Sequence, residues 1–140
     1  MYNYNFIDHT ADICIFAKAD SIEELFFAFA QGFKNSVIKK LTLNPLKKIS
    51  FSIESDSCEE LLVDFLNELN YLFSTDLIMF KDIRVSLQNN ASGSLFLDTE
   101  AEMYKVSIED IVTEIKAATY HNLKIDFKDG MFSAYLVFDV

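Results

Sequence analysis

Hydrophobic and polar residues alternate along two runs near the end of the chain, residues 119–127 and 132–140. Asp129-Gly130 lies between these runs. An Asp-Gly pair flanked by alternating residues is the strongest short-range signal of a β-hairpin with a two-residue turn. The pattern therefore predicts a C-terminal β-hairpin in which Phe127 faces Phe132 and one side of both strands lies in the core.

The tight turn also predicts which polar residues share the other side of the hairpin. In that register, Lys116, Tyr120 and Asp139 lie on the side away from the core. Lys116 lies beyond the partner of Asp139 by about 13 Å along the strand, too far for an ion pair unless a loop folds back. Asp139 and the main-chain carboxylate of Val140 concentrate oxygen ligands at the end of the strand.

Apolar residues recur at helical spacing in two other stretches, residues 22–33 and 61–73. Ser21 with Glu24, and Ser57 with Glu60, have the spacing of a capping box before each stretch. The pattern predicts two amphipathic helices, the first of which ends within residues 32–35. On the second helix, the residues predicted to face outwards are Glu59, Glu60, Asp64, Asn67, Glu68 and Asn70.

Shorter alternating runs predict the remaining strands. These strands cover residues 4–8, 13–19, 47–54, 77–88 and 94–102, and residues 103–112 are predicted to form a loop. Because most of the strands alternate or adjoin turns, antiparallel pairing is expected. The sequence therefore predicts an α+β fold, a single domain over residues 1–140 in which a largely antiparallel β-sheet is packed by two amphipathic helices.

The composition narrows the class of protein. A hydrophobic content of 51% in 140 residues, with 14 Phe, argues for a packed domain and against disorder. No apolar run approaches the roughly 18 residues of a membrane span, and no signal peptide is recognisable, so a cytoplasmic protein is expected. The net charge of −10 repels a phosphate backbone, so direct nucleic-acid binding is not expected. The negative charge instead favours a cation, or a protein with a basic surface, as the partner.

A zinc site is one alternative for the cysteines and histidines. Cys14, Cys58, His9 and His121 would have to converge from four distant places in the chain, without the close ligand pairs of known zinc sites. Buried free thiols in a reducing compartment are the better interpretation of the two cysteines.

A metal-dependent nuclease is another alternative. Glu114 and Lys116, with Asp98 or Asp110 upstream, match a loose pattern in which carboxylates hold magnesium and the lysine stabilises the transition state. This pattern is short and frequent by chance, and the acidic chain lacks a basic track for nucleic acid. A general chaperone would need an exposed apolar patch, whereas the apolar residues fall on regular core faces.

Several motifs occur in a specific order and spacing along nearly the whole chain. They are His9-Thr10-Ala11-Asp12-Ile13, residues 20–26, residues 60–69, residues 114–121 and Phe138-Asp139-Val140. With these motifs the chain resembles the archease family. At one position it departs from the family, which usually has Gly after the Tyr-His pair; here it is Asn122, and Asn tolerates a positive φ better than most residues.

The resemblance implies a role that is not enzymatic. Archease proteins assist the GTP-dependent RNA ligase that joins tRNA halves in tRNA splicing, and they promote its guanylylation and multiple turnover. The family's divalent-cation site, described as a calcium site, implies Asp12, Asp139 and Val140 as metal ligands here. Lys116, in the Lys-Ala-x-Thr-Tyr motif, is implied as the residue for ligase activation.

The chemistry of these residues agrees with that implication. Carboxylate oxygens are hard donors that suit calcium or magnesium rather than zinc. Three anionic groups held close together would repel one another without a cation between them. From the residues alone, Asp12 and Asp139 would be interpreted as facing solvent, and the resemblance favours the metal site.

Overall fold

Two helices and two antiparallel sheets make up the fold. The computed structural model describes residues 1–7, 12–42 and 44–140. The α+β class and the antiparallel pairing predicted from the sequence are confirmed. In chain order the elements are β1 (Tyr2–Ile7), β2 (Ile13–Ala19), α1 (Ile22–Val37), β3 (Pro45–Ser55), α2 (Cys58–Asp76), β4 (Ile78–Asn89), β5 (Leu95–Lys105), a 3-10 turn (Ile108–Asp110), β6 (Ala117–Ala118), β7 (Asp126–Lys128) and β8 (Met131–Asp139).

Strand β8 is at the centre of the larger sheet. The path of this five-stranded sheet is β1-β2-β8-β6, and the short strand β7 also pairs with β8. A second sheet contains three strands in the order β3-β5-β4. Helix α1 packs against β1, β2 and β8 and also against β4, whereas α2 packs against all three strands of the second sheet and against β6. Each helix therefore contacts both sheets, and the apolar core is one continuous cluster.

Both helices begin where the capping boxes predict. The Ser21 hydroxyl accepts a hydrogen bond from the Glu24 N–H at 3.1 Å, and the Ser57 hydroxyl accepts one from the Glu60 N–H at 3.1 Å. Each cap satisfies one of the free N–H groups in the first helical turn. In the part of the chain that the structure describes, neither helix is long and apolar enough to cross a membrane.

Helix α1 continues beyond its predicted end and stops at Val37. Gly32, which the sequence pattern marks as an end signal, lies inside the helix and is buried. A Cβ atom at this position would lie 2.9 Å from Cδ1 of Ile15 and 3.3 Å from Cδ2 of Tyr4. The glycine therefore allows the helix to lie close to the sheet, and it does not terminate the helix.

Strand β5 is also longer than predicted. It continues to Lys105, and a 3-10 turn follows at Ile108–Asp110, so the prediction of a loop over residues 103–112 is wrong for these segments. Met103 and Val106 are both buried in the core. Pairing with β3 and β4 and packing against α2 give residues 103–105 their extended conformation, although their alternation is too weak to predict a strand.

The C-terminal hairpin turns where the Asp-Gly pair predicts. Asp129 and Gly130 have φ values of 53° and 75°, as a two-residue hairpin turn of type I′ requires. Phe127 pairs with Phe132, which confirms the register next to the turn. The side predicted to lie in the core is buried on β8, but Phe127 is 63% exposed, so the core ends before the turn.

Thr99 is a buried polar residue with a side-chain hydroxyl group that is unpaired among the described residues. It lies on the inner face of the three-stranded sheet, where Phe51 and Val85 are its neighbours on β3 and β4. The residue is 1% exposed, and within the described part of the chain its hydroxyl has no hydrogen-bond partner. Burial of an unpaired hydroxyl lowers the free energy of unfolding.

Replacing Thr99 by valine should raise the free energy of unfolding by about 1 kcal/mol, because valine keeps the shape and removes the unpaired hydroxyl. Urea denaturation followed by circular dichroism measures the change. Thr99→Ala is the matched control, since it also removes a methyl group and should be less stable than Thr99→Val. A valine variant less stable than the wild type would show that the hydroxyl is satisfied in solution.

Candidate functional site

Asp12 and Asp139 flank the last pair of a ladder at one end of the five-stranded sheet. Ile13, the first residue of β2, pairs with Phe138 of β8. Asp12 is half-buried in the bend before Ile13, and Asp139, which is exposed, directly follows Phe138. Two of the predicted cation ligands therefore adjoin the same pair of residues, and Val140 follows directly.

The N-terminal motif is described only in part. His9, Thr10 and Ala11 lie outside the described residues. Asp12 and Ile13 are described, and Ile13 begins β2 as the sequence predicts.

Strand β6 approaches Asp139 from the other side. Ala117 pairs with Asp139, and Ala118 pairs with Phe138. The main-chain N–H of Lys116 donates a hydrogen bond of 2.8 Å to the carbonyl oxygen of Asp139. Asp139 is therefore flanked by β2 with Asp12 on one side and by the segment that carries Lys116 on the other.

The predicted separation of about 13 Å between Lys116 and Asp139 along the strand is wrong. The register at the hairpin turn, continued along β8, would pair Asp139 with Tyr120, but Asp139 pairs with Ala117. The additional residues form a turn in which the Leu123 N–H donates to the Tyr120 carbonyl at 2.9 Å. Asn122 lies in this turn with a φ of 54°, a left-handed conformation that Asn adopts more readily than most residues.

The same change of register alters which residues share a side of the sheet. Ala117, and not Lys116 or Tyr120, occupies the position that faces Asp139. The prediction that Lys116, Tyr120 and Asp139 share one side is therefore wrong. Lys116 lines a concavity together with Val140 instead.

This concavity has a volume of about 330 Å³ and lies between the C-terminal end of α2 and the segment before β6. Its charged side chains are Glu114 and Lys116, and Val140 lies beside them. Lys116 and Glu114 are both exposed. An ammonium group and a carboxylate therefore border an apolar surface formed by Phe73, Leu77, Ile111 and Ile115.

Two asparagines on α2 turn inwards, contrary to the prediction that they face outwards. Asn67 is half-buried and Asn70 is only 6% exposed. The Asn70 amide donates to the Ile115 carbonyl at 2.8 Å, and the Asn67 amide bonds to both main-chain groups of Ala118. The helical pattern does not reveal this contact, because Asp64 also follows a buried residue, Val63, and is exposed.

Acidic side chains of α2 also surround Tyr120. Partial burial raises the pKa of the Tyr120 phenol above its ordinary value, and the negative charges of Asp64 and Glu60 raise the pKa further. Asp64 itself accepts a hydrogen bond from the Ser55 hydroxyl at 3.1 Å. This edge of the site is therefore acidic and keeps the phenol protonated to higher pH.

The oxygen donors at the sheet end fit a hard divalent cation. Calcium takes six to eight oxygen ligands from carboxylates, main-chain carbonyls and water. Asp12 and Asp139 would supply side-chain carboxylates, and Val140 would supply main-chain oxygen. Among the described residues, no three side chains of His, Cys, Asp or Glu form a metal-binding group by themselves.

The cysteines have the properties of ordinary buried thiols. Cys14 is buried on β2, and Cys58 is half-buried at the start of α2. Burial raises the pKa of both thiols, and the charge of Glu59 raises that of Cys58 further. Raised pKa values keep both thiols protonated and unreactive near neutral pH.

The fold and the residues at the sheet end define a small α+β domain in which charged groups gather at one end of a five-stranded sheet. A family model described as the Archease protein family (MTH1598/TM1083) matches residues 4–140. Protein archease of Methanosarcina barkeri is 36% identical over 98% of this chain and 95% of its own length. Protein archease of Pyrococcus furiosus is 32% identical over 100% of both chains. The chain belongs to the archease family.

Solved structures share the fold. The solution structure of protein 1598 from Methanobacterium thermoautotrophicum has a TM-score of 0.83 and 26% identity, with 98% of each chain covered. A crystal structure from Thermotoga maritima, described as an archease and possible chaperone, has a TM-score of 0.65 and 22% identity over 96% of this chain and 94% of that one. The latter similarity shows the fold alone.

Replacing Asp64 by asparagine should lower the pKa of Tyr120, because one of the negative charges that disfavour the phenolate is removed. An NMR pH titration of isotope-labelled tyrosine rings, assigned with Tyr120→Phe, measures the shift. Asp76→Asn, at the far end of the same helix, is the matched control and should leave the pKa unchanged. An unchanged pKa in Asp64→Asn would place this carboxylate too far from the phenol to act on it.

Proposed function

We propose that this protein is a non-catalytic activator of the GTP-dependent RNA ligase that joins tRNA halves in tRNA splicing. In this role it promotes the guanylylation of the ligase and its multiple turnover. Membership of the archease family supports the proposal. The observation that carries it is the meeting of Lys116 and Asp139 at one end of the sheet, where their main chains are joined by a hydrogen bond of 2.8 Å.

The charge of the chain supports a protein partner over a direct RNA contact. A net charge of −10 favours association with a basic surface and disfavours the phosphate backbone of RNA. The ligase would therefore contact this domain through basic groups, and its own surface would bind the tRNA. The two free thiols agree with the cytoplasm, where thiols stay reduced.

The proposed metal site contains Asp12, Asp139 and Val140, with calcium as the cation. Bound calcium would supply positive charge that offsets the repulsion between the carboxylates of Asp12 and Asp139. Asp12 lies beside the start of β2, and Asp139 ends β8, so both ligands come from the two central strands of one sheet. These residues bind and orient; none of them is proposed to take part in bond making or breaking.

Lys116 is the residue proposed for activation of the ligase. Its side chain is exposed beside the concavity, and an ammonium group there is available to an anionic group of the ligase or of its bound nucleotide. The protein would thus act on a reaction that takes place within its partner.

The nuclease alternative finds little support in the arrangement of its residues. Asp98 lies on the three-stranded sheet, where it accepts a hydrogen bond from the Ser52 hydroxyl at 2.6 Å. Asp110 is buried in the 3-10 turn, with only 9% of its surface exposed. Glu114 and Lys116 share the concavity, but Asp98 belongs to the other sheet.

Calcium should raise the melting temperature of the wild-type protein, because a ligand that binds only the folded state stabilises it. Asp139→Asn and Asp12→Asn should lose most of this increase, since each removes a charged oxygen ligand. Differential scanning fluorimetry and isothermal titration calorimetry measure the effect. Asp126→Asn, an exposed aspartate on β7 of the same sheet, is the matched control and should respond as the wild type does. A full calcium response in Asp139→Asn would remove this residue from the site.

Multiple-turnover ligation of a broken tRNA by the partner ligase tests the function directly. Wild-type protein should stimulate product formation with GTP and divalent metal present, and Lys116→Ala should lose at least about tenfold of this stimulation, the scale of one lost charged contact. Lys128→Ala, which changes an exposed lysine of β7, is the matched control and should stimulate normally.

The outcomes distinguish the proposed function from the role assigned to Lys116. If the wild type fails to stimulate a competent ligase, the proposed function is wrong. If the wild type and Lys116→Ala stimulate equally, the function stands and Lys116 is not the activating residue.

A further inference from the structure

Lys116 lies in a segment with little regular secondary structure. Between the 3-10 turn and β7, the described residues 111–125 contain one strand, the two-residue β6. On one edge this segment is bound by β8, through the Lys116 N–H to Asp139 and the Thr119 N–H to the Val137 carbonyl at 3.0 Å. The sheet therefore holds only one edge of the segment.

The other edge is held by the side chain of Asn67 from helix α2. The Asn67 side-chain oxygen accepts the Ala118 N–H at 2.7 Å, and its amide nitrogen donates to the Ala118 carbonyl at 3.3 Å. A neighbouring strand would offer the same donor and acceptor to one residue of an antiparallel ladder. The asparagine thus replaces a strand at this edge.

Asn70 makes a second contact one helical turn further along α2. Its buried amide nitrogen donates to the Ile115 carbonyl at 2.8 Å and lies 3.5 Å from the Lys116 carbonyl. The two asparagines therefore form hydrogen bonds to the main chain on both sides of Lys116. Their spacing of three residues along the helix places them on one face, as this contact requires.

Side-chain burial alone does not account for asparagine at these two positions. Each asparagine follows a fully or nearly fully buried leucine, Leu66 or Leu69, and an apolar residue at 67 or 70 would extend the buried stripe. Such a residue would leave the Ala118 N–H and carbonyl, or the Ile115 carbonyl, without these bonds. Asn67 uses both its oxygen and its nitrogen on Ala118, whereas Asn70 uses only its nitrogen, and within the described residues its buried oxygen has no hydrogen-bond partner.

We propose that Asn67 and Asn70 are positioning residues that fix the main chain around Lys116 and so direct its ammonium group towards the ligase. This proposal rests on the proposed function. Asn67 acts on Ala118, Asn70 acts on Ile115 and Lys116, and neither asparagine needs to touch the partner. The two residues link α2 by hydrogen bonds to the segment that carries Lys116.

Asn67→Leu tests the proposal by two independent measurements. Amide hydrogen exchange followed by NMR should show exchange of the Ala118 N–H faster by about tenfold or more, while Ala134 in the buried part of β8 keeps its protection. In the ligation assay, Asn67→Leu should lose most of the stimulation. The double variant Asn67→Leu with Lys116→Ala should be no weaker than Lys116→Ala alone, because both changes act through the same residue.

Asn35→Leu is the matched control. Asn35 lies on α1 and donates its side-chain amide to the Tyr4 hydroxyl, away from the site. This variant should keep both the Ala118 protection and the stimulation. If Asn67→Leu does not fold, Asn67→Ser replaces it in both measurements, because serine is too short to bond both main-chain groups of Ala118.

Three results would overturn the positioning role while leaving the proposed function intact. One is unchanged exchange of Ala118 in the Asn67 variant. Another is lost protection together with full stimulation. The third is a double variant whose stimulation is reduced by the product of the two single effects. Absence of stimulation by the wild-type protein would instead overturn the proposed function, and with it the role assigned to Lys116.

Discussion

The hydrogen-bonding register of β8 is the constraint on which the candidate site depends. This strand pairs with β2 along one edge and with β6 and β7 along the other. Its buried residues hold the register in place, because a slip by one residue would move Leu136 and Phe138 out of the core. The position of Asp139, one step beyond Phe138, follows from that packing. Core contacts therefore fix the paired ends of β2 and β8, next to which Asp12 and Asp139 lie.

The sequence predicted those features that depend on local patterns. Capping boxes located both helix starts, and the Asp-Gly pair located the hairpin turn with its register. These signals act over a few residues, so the chain specifies them without help from distant parts. The family resemblance implies that Asp12 and Asp139 share a cation site, and this stays a prediction. The structure shows that their neighbours Ile13 and Phe138 are paired.

The features that the sequence did not predict depend on contacts between distant segments. The position of Lys116 depends on three additional residues between β6 and β7, and these are accommodated by the turn at Asn122. The amides of Asn67 and Asn70, about fifty residues earlier in the chain, bond to the segment before this turn. Such tertiary contacts override local patterns, so the alternation of the hairpin alone does not predict the turn. Gly32 is a similar case, since it lies within α1 where the helix comes close to Ile15 of β2, a contact that the local sequence does not reveal.

The side-chain contact made by Asn67 has a further consequence for how this domain is recognised. Ala118 lies on an edge strand, and an edge strand with free N–H and carbonyl groups is a template for the addition of another strand. Here both of these groups are already bonded to α2. The edge nearest to Lys116 is therefore closed to strand addition at this position, both by a partner and by a second misfolded copy of the chain. Recognition at this end of the sheet is left to side chains, which makes it more selective than pairing through the main chain.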